Sequence, residues 1–275
     1  MKLFKSCIAI VALTLVTSVA NAGLDTETYV SIDGTGSGAT EGDLSGAGPL
    51  TLLDTDGGDA WNNGDNFIFV HEANKRTGNF SATVRVIGQT EAIDGRWGKA
   101  GIQARNSMAG DSANARVEVA AGNGSQPSGS NPVPVRLSGR NLNTTPNGFE
   151  DSVNNPAEVT NDVFRTDGDV NASWLRLDYT AATNEFVAGF ASDVDGAPGD
   201  WSYSGARSNV ESDGNGWYVG LFYSSHDDMN YDQVTRADNL HGVTFDNFSL
   251  VPEPSSIALI GLGLLGLAGL RRRQR

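Results

Sequence analysis

The chain has 275 residues and a formal net charge of −14, with 33 acidic against 19 basic residues. Six of the basic residues but only one acidic residue lie in the two terminal segments, so residues 23–251 carry a charge of about −19. Nucleic-acid phosphates require a basic face, and a body this acidic therefore excludes nucleic acid as a partner. The single cysteine is Cys7. The body therefore has no disulfide, thiolate zinc site or cysteine nucleophile.

The N-terminus has the pattern of a secretion signal. Lys2 and Lys5 form a short positive region, and an apolar segment runs from 7 to 16. Ala20 and Ala22 then supply an A-x-A cleavage site. We therefore expect a signal helix that is removed by signal peptidase.

The body is a series of short apolar segments separated by polar, glycine-rich turns. From 80 to 87 apolar and polar residues alternate, which is typical of a half-buried strand. No part of the body has a sustained 3.6-residue period with helix caps. The pattern predicts an all-β fold, an antiparallel β-sandwich or jelly roll, with surface loops at 122–129 and 141–162. The predicted strands are 67–70, 80–87, 100–105, 115–121, 133–137, 174–179, 185–192, 217–223 and 243–250.

A candidate calcium site follows the start of the body. Asp54, Asp56 and Asp59 flank two glycines, and carboxylates in a tight turn can form an oxygen cage for a hard cation. Asp193 and Asp195, before Gly196, make a similar but poorer cluster. The alternative in each case is that Asp-Gly simply makes a good turn.

Aromatic rings are the usual platform for sugars. Trp174 and Trp217 open apolar strands and are expected in the core. Trp97 and Trp201 follow turn sequences, and we take them as the candidate ligand-binding residues, although either could instead close the edge of the sandwich.

Catalytic patterns are missing from the sequence. Glycosidases on a sandwich fold need two carboxylates placed together on one strand face, and no E-x-D-x-E run occurs. The three histidines have no G-x-S-x-G nucleophile elbow to work with. We therefore predict a protein that is not an enzyme.

The C-terminus combines three unlike features in a fixed order. Pro252, Glu253 and Pro254 precede an apolar segment from 257 to 270, and an arginine cluster that includes Arg271, Arg272 and Arg273 ends the chain. The apolar segment predicts a short transmembrane helix, and the arginines would hold the C-terminus on the cytoplasmic side.

This tail resembles the PEP-CTERM sorting signal. The resemblance implies recognition and cleavage near Pro-Glu-Pro by an exosortase-type membrane protease, in a Gram-negative bacterium that makes exopolysaccharide. The alternative is a plain C-terminal anchor that is retained. The chain then divides into a signal peptide at 1–22, a β-sandwich domain at 23–251 and a sorting tail at 252–275.

The body has a second resemblance, to secreted bacterial domains of the concanavalin A-like (laminin G-like, DUF1349-like) jelly-roll fold. It rests on an ordered series of short segments, among them 57–61, 65–70, 97–107, 174–177, 192–196, 218–221 and 244–247. The resemblance implies non-catalytic binding of glycan or matrix.

The sequence thus predicts an exported protein at the cell surface or outside the cell, with a transient or permanent inner-membrane anchor. Its sandwich is expected to bind carbohydrate, with extracellular polysaccharide as the partner. The alternatives are a structural matrix component without a specific ligand and a polysaccharide-degrading enzyme.

Overall fold

The computed structural model describes residues 28–31, 38–42, 49–54, 67–90, 99–120, 135–140, 148–152, 172–205, 207–208, 210, 213–224 and 241–252. All regular secondary structure in these residues is β-strand. Within them, no helix is long and apolar enough to cross a membrane. The strands are β1 (Thr28–Ser31), β2 (Gly38–Gly42), β3 (Leu50–Asp54), β4 (Ile68–His71), β5 (Phe80–Thr90), β6 (Lys99–Arg105), β7 (Asn114–Ala120), β8 (Val135–Arg140), β9 (Gly148–Ser152), β10 (Ser173–Thr180), β11 (Glu185–Val194), β12 (Ala197–Pro198), β13 (Ser202–Tyr203), β14 (Arg207–Ser208), β15 (Tyr218–Ser224) and β16 (His241–Pro252).

The strands form two antiparallel sheets. Sheet A has the order β1-β4-β15-β6-β7-β8-β9, and sheet B has the order β12-β11-β10-β5-β16-β3-β2, with β13 and β14 also paired to β11. From β3 to β6, successive strands alternate between the sheets, and the late strands β15 and β16 lie between the early ones. This nesting of late strands between early ones is the connectivity of a jelly roll. The predicted all-β, antiparallel sandwich is confirmed.

The core lies between the two sheets. Each strand directs every second side chain inward, as the pleat requires. On β5, Phe80, Ala82, Val84 and Val86 are fully buried in the core cluster, while the residues between them are partly exposed. Trp217 lies in this core, as predicted, with its ring 5.1 Å from that of Phe186.

All nine predicted strands are present, with ends shifted by a few residues. Strands β1, β2 and β3 were not predicted, and neither were the short strands β12 to β14. The loop predicted at 141–162 was partly wrong, because β9 lies inside it and pairs with β8. Its sequence, GFEDS, has no apolar alternation; pairing with a neighbouring strand, rather than its own pattern, makes it a strand.

The signal helix, its cleavage site at Ala20 and Ala22, the apolar segment of the tail and the arginines 271–273 lie outside the described residues.

Candidate functional site

Trp201 lies on the outer face of sheet B. It sits between the short strands β12 and β13, half-buried, with its ring 6.3 Å from that of Tyr203 and the two planes within 28° of parallel. The guanidinium carbon of Arg176 lies 5.9 Å from the centre of the indole. Tyr203 is 38% exposed, one of the most exposed large apolar side chains in the described part of the chain. We call Trp201 and Tyr203 the aromatic pair.

Gly189 makes room for the aromatic pair. A Cβ atom at this position would lie 3.0 Å from Tyr203 Cε1 and 3.2 Å from Trp201 Cε3. The rings therefore rest directly on the backbone of β11. Arg176 beside them donates from Nε to both carboxylate oxygens of Asp178 at 2.8 Å. The result is a surface with two aromatic rings flanked by a charged pair, which suits a sugar's apolar face and its hydroxyls.

Trp97, the other predicted ligand residue, lies outside the described residues. Trp174 is buried, as predicted, but on the outer side of sheet B. Its indole Nε1 donates to Asp193 Oδ1 at 2.8 Å. It therefore supports an ion-pair network and is not part of the central core cluster.

Asp193 and Asp195 lie at the tight turn that follows β11. Asp195 and Gly196 both have positive φ, 53° and 83°, and make the two-residue turn between β11 and β12. The Asp193 carboxylate accepts from Arg85, from Trp174 and from the Gly196 amide. For this pair the turn alternative is confirmed.

Only one residue of the predicted calcium site at Asp54, Asp56 and Asp59 lies among the described residues. Asp54 ends β3, where it pairs with Gly38 and His241. Asp56 and Asp59 lie outside the described residues. Among the residues that are described, no group of three or more His, Cys, Asp or Glu side chains lies close enough to hold a metal ion.

Two carboxylates, those of Asp193 and Asp246, bind the same arginine, Arg85. Arg85 donates to Asp193 from Nε and Nη2 and to Asp246 from Nη1. Burial acts to raise the pKa of Asp193, but the hydrogen bonds from Arg85, Trp174 and Gly196 lower it below its ordinary value. A glycosidase requires one carboxyl of its pair to have a raised pKa and stay protonated. The lowered pKa of Asp193 is the opposite of this requirement.

The outer face of sheet A is polar and yet buried. Ten polar or charged side chains that point away from the core, on five strands, are buried. Since residues opposite each other in an antiparallel sheet share a face, the pairing arranges them in rows across the sheet. We call this set the polar face: His71, Lys99, Gln103, Arg105, Asn114, Arg116, Glu118, Ser138, Arg140 and Ser224.

An ion-pair network occupies one side of the polar face. Arg116 Nε lies 2.5 Å from Glu118 Oε2 and 2.9 Å from Ser138 Oγ. Arg136 Nε lies 2.9 Å from the other oxygen of Glu118. Burial acts to raise the pKa of Glu118, but the charges of Arg116, Arg136 and Lys99 hold it below its ordinary value. Glu118 is therefore an anion that binds its neighbouring strands together.

His71 lies at the other side of the polar face, among aromatic rings. It stacks on Phe69 at 4.9 Å and meets the edge of Tyr218 at 5.1 Å. Its Nδ1 lies 2.6 Å from the carbonyl oxygen of Glu72. A carbonyl accepts, so Nδ1 carries the proton and Nε2 presents a lone pair. Burial lowers the pKa of His71, against the Glu72 hydrogen bond, and the charge of Arg105 lowers it further.

The sequence alone did not identify the polar face. The segments at 100–105 and 115–121 were taken as apolar runs, although Gln103, Arg105, Arg116 and Glu118 alternate with their apolar residues. Charged residues in a predicted strand are normally solvent-exposed, so that alternation predicts an exposed face. The burial of these side chains is a property of the tertiary structure.

The sorting motif begins inside the sandwich. The last strand, β16, continues through Leu250, Val251 and Pro252, which pair with Ala82, Ser81 and Phe80 of β5. Pro252 is exposed at the end of the sheet. Glu253 and Pro254 lie just past the described residues.

Three comparisons place these features among known proteins. The family model of the PEP-CTERM protein-sorting motif matches residues 250–273. None of the curated proteins matches the chain. Solved structures with a similar fold include a legume lectin-like domain from Entamoeba histolytica, at 8% identity and a TM-score of 0.42, covering 81% of this chain and 88% of that one. Arcelin-5, a lectin-like defence protein from Phaseolus vulgaris, is 9% identical with a TM-score of 0.42, over 82% of this chain and 96% of that one.

At such identities and scores, the structural likenesses say nothing about a ligand. The sandwich itself is established by the strand pairing. The match at the C-terminus agrees with the order of Pro-Glu-Pro, apolar segment and arginines in the sequence. The chain is an antiparallel β-sandwich that ends in a PEP-CTERM protein-sorting motif, the mark of an exported protein sorted by an exosortase.

Proposed function

We propose that the protein is a non-catalytic carbohydrate-binding module, delivered to the cell surface or the extracellular matrix, and that the aromatic pair contacts extracellular polysaccharide. The observation that supports this most is the Trp201–Tyr203 pair, two rings within 28° of parallel on the outer face of sheet B. Flat rings at a surface stack on the apolar face of a sugar, and a neighbouring charged pair can bind its hydroxyls.

The arrangement of Arg176 supports binding over a purely structural role. Its Nε is held by both oxygens of Asp178, and its side chain is 29% exposed. The guanidinium is thus held in a fixed orientation beside the indole. Ordered polar groups next to a flat apolar surface reduce the entropy that a ligand must give up on binding.

The test is a glycan array with the full-length protein purified in a mild detergent, followed by titration of any hit. We expect Trp201→Ala to weaken binding at least about tenfold, since anchoring aromatic residues carry much of the binding energy. Gly189→Ala should have a smaller effect in the same direction, because its methyl group would displace both rings.

Val194→Ala is the matched control. Val194, the last residue of β11, is 56% exposed and has no part in the aromatic pair. It should bind as the wild type does. A blank array, or equal binding by wild type and Trp201→Ala, would refute the role of the aromatic pair and favour a matrix component without a specific ligand.

A further inference from the structure

One row of residues crosses the outer face of sheet B from the aromatic pair. Tyr203 on β13 is opposite Gly189 on β11, and Gly189 is opposite Arg176 on β10. Arg176 is in turn opposite Thr83 on β5, and Thr83 is opposite Ser249 on β16. Residues opposite each other in an antiparallel sheet share a face, so the row is continuous. It covers four strand spacings, about 19 Å.

The end of the row that lies far from the aromatic pair is polar. Thr83, Ser249 and the neighbouring Asn247 are all partly exposed to solvent, and we call these three residues the polar strip. Asn247 lies in a bulge of β16, between Asp246 and Ser249, and has a positive φ of 52°. The bulge interrupts the alternation of β16, since Asp246 and Asn247 are both partly exposed. Bulges are frequent beside binding sites, where they re-aim a side chain.

The polar strip has hydrogen-bonding capacity that the protein does not use. Within the described part of the chain, the hydroxyls of Thr83 and Ser249 and the amide of Asn247 form no hydrogen bond with another protein group. Hydroxyls and amides both donate and accept. A ligand that reaches the strip therefore meets uncharged donors and acceptors, which match the hydroxyls of a sugar.

We propose that the aromatic pair and the polar strip form one extended site, which binds a neutral linear polysaccharide that runs across the strands of sheet B. One sugar unit stacks on the aromatic pair, and a chain of about four units reaches the polar strip, if one unit covers about one strand spacing. This inference rests on the proposed carbohydrate function. It adds the direction, the length and the charge of the ligand.

The charges around the row favour a neutral polymer over a polyuronate. Arg176 is paired with Asp178, and Arg85 is paired with Asp193 and Asp246. These cations are therefore neutralised by the protein itself. The body as a whole is strongly acidic and repels a polyanion.

Calorimetry on the full-length protein, purified in a mild detergent, tests the length of the site. The probes are neutral gluco-, manno- and galacto-oligosaccharides of two, four and six units, with a uronate hexamer as the charged probe. We expect the affinity for one neutral series to rise at least about tenfold from two to four units, because the longer chain reaches the polar strip. From four to six units the gain should be less than about threefold.

Two variants test the polar strip. Thr83→Val keeps the shape of the side chain and loses the hydroxyl, and Asn247→Gly loses the amide but tolerates the positive φ. Each should weaken binding of the six-unit probe at least about threefold and leave the two-unit probe unchanged. Thr180→Val is the matched control. Thr180 is exposed at the end of β10, away from the row, so this variant should bind both probes as the wild type does.

The outcomes separate the extended site from the proposed function. If the two-unit and six-unit probes bind equally, or if either strip variant binds the six-unit probe as the wild type does, the extended site is wrong. A loss of binding in Trp201→Ala would then leave the aromatic pair as the whole site. If Trp201→Ala binds the six-unit probe as the wild type does, the aromatic pair and the extended site are both wrong. Tighter binding of the uronate than of every neutral hexamer overturns the neutral ligand, and no binding of any probe overturns both proposals.

Discussion

Arg85 on β5 binds both carboxylate oxygens of Asp193 on β11, from Nε at 2.8 Å and from Nη2 at 3.0 Å. These residues lie in strands separated by β10, and 108 positions separate them in the sequence. The same guanidinium reaches Asp246 on β16 at 3.1 Å. One cation thus connects three strands on the outer side of sheet B, where the three side chains are 14–20% exposed.

Arg85→Met should destabilise the protein by about 2 kcal/mol, because it leaves two neighbouring carboxylates with no cation between them. Urea unfolding at pH 7 measures the change. Lys75→Met is the matched control. Its pair with Asp213 is 3.5 Å long and more exposed, so its loss should cost no more than about 0.5 kcal/mol. Equal losses in the two variants would contradict the importance of the Arg85 network.

Gly220→Ala should destabilise the protein by about 3 kcal/mol or prevent folding. The added Cβ would lie 2.0 Å from the carbonyl oxygen of Val70 and 2.5 Å from His71 Cα. Both are backbone atoms of the paired strand and cannot move without breaking the ladder. Gly78→Ala is the control, since nothing lies within 4 Å of its Cβ position. Thermal unfolding compares the two, and a stable, folded Gly220→Ala protein would contradict this packing.

His71 should make stability depend on pH between about 7 and 5. Its pKa is lowered in the folded state, mainly by burial, so the unfolded chain takes up a proton near pH 6.5 that the folded chain does not. Stability from this residue is therefore present above pH 6.5 and is lost as the pH falls through the lowered pKa.

Melting temperatures from pH 7 to 5 test this dependence. We expect the wild type to lose more stability over that range than His71→Phe, which keeps the aromatic stack on Phe69. Parallel curves for the two proteins would show that His71 is protonated equally in both states. Nuclear magnetic resonance titration of the His71 ring gives the pKa directly.

Calcium bound at Asp54, Asp56 and Asp59 would stabilise the folded chain by mass action. We therefore expect EDTA to lower the melting temperature and added calcium to restore it. Asp56→Asn should reduce the response to calcium. If the melting temperature is unchanged in EDTA, the metal hypothesis is wrong and the Asp-Gly segment is a turn.

Glu253→Ala should leave an unprocessed, membrane-bound species if Pro-Glu-Pro is the processing signal. Fractionation of the producing cells shows whether the variant and the wild type differ, and identical fractions would count against processing at this motif.

The position of the cut is a separate prediction, because Pro252 is paired with Phe80 in sheet B. The cut should therefore fall after residue 252, which mass spectrometry of the mature C-terminus can check.

Much of the fold was predictable from local pattern. Alternation at Phe80, Ala82, Val84 and Val86 identified a strand and its buried face, because side chains alternate with a period of two. Strands β2 and β9 were missed, because their sequences, GATEG and GFEDS, carry no such pattern and are ordered by pairing with a neighbour.

The candidate sites were predictable only in part. Trp201 was selected from its turn sequence, but Tyr203 and Gly189 became relevant only through their packing against it. The polar face was missed, since a charged residue in a strand carries no local sign of burial.

By itself, the sequence determined export, the sorting tail and the all-β class, since each depends on residues close together in the chain. The tertiary structure decided which side chains meet. His71, Gln103 and Gly220 come from three distant segments, and only the order β4-β15-β6 brings them into one row. Strand order and register arise from contacts between remote segments, and a shift of one residue would turn every side chain of a strand to the other face.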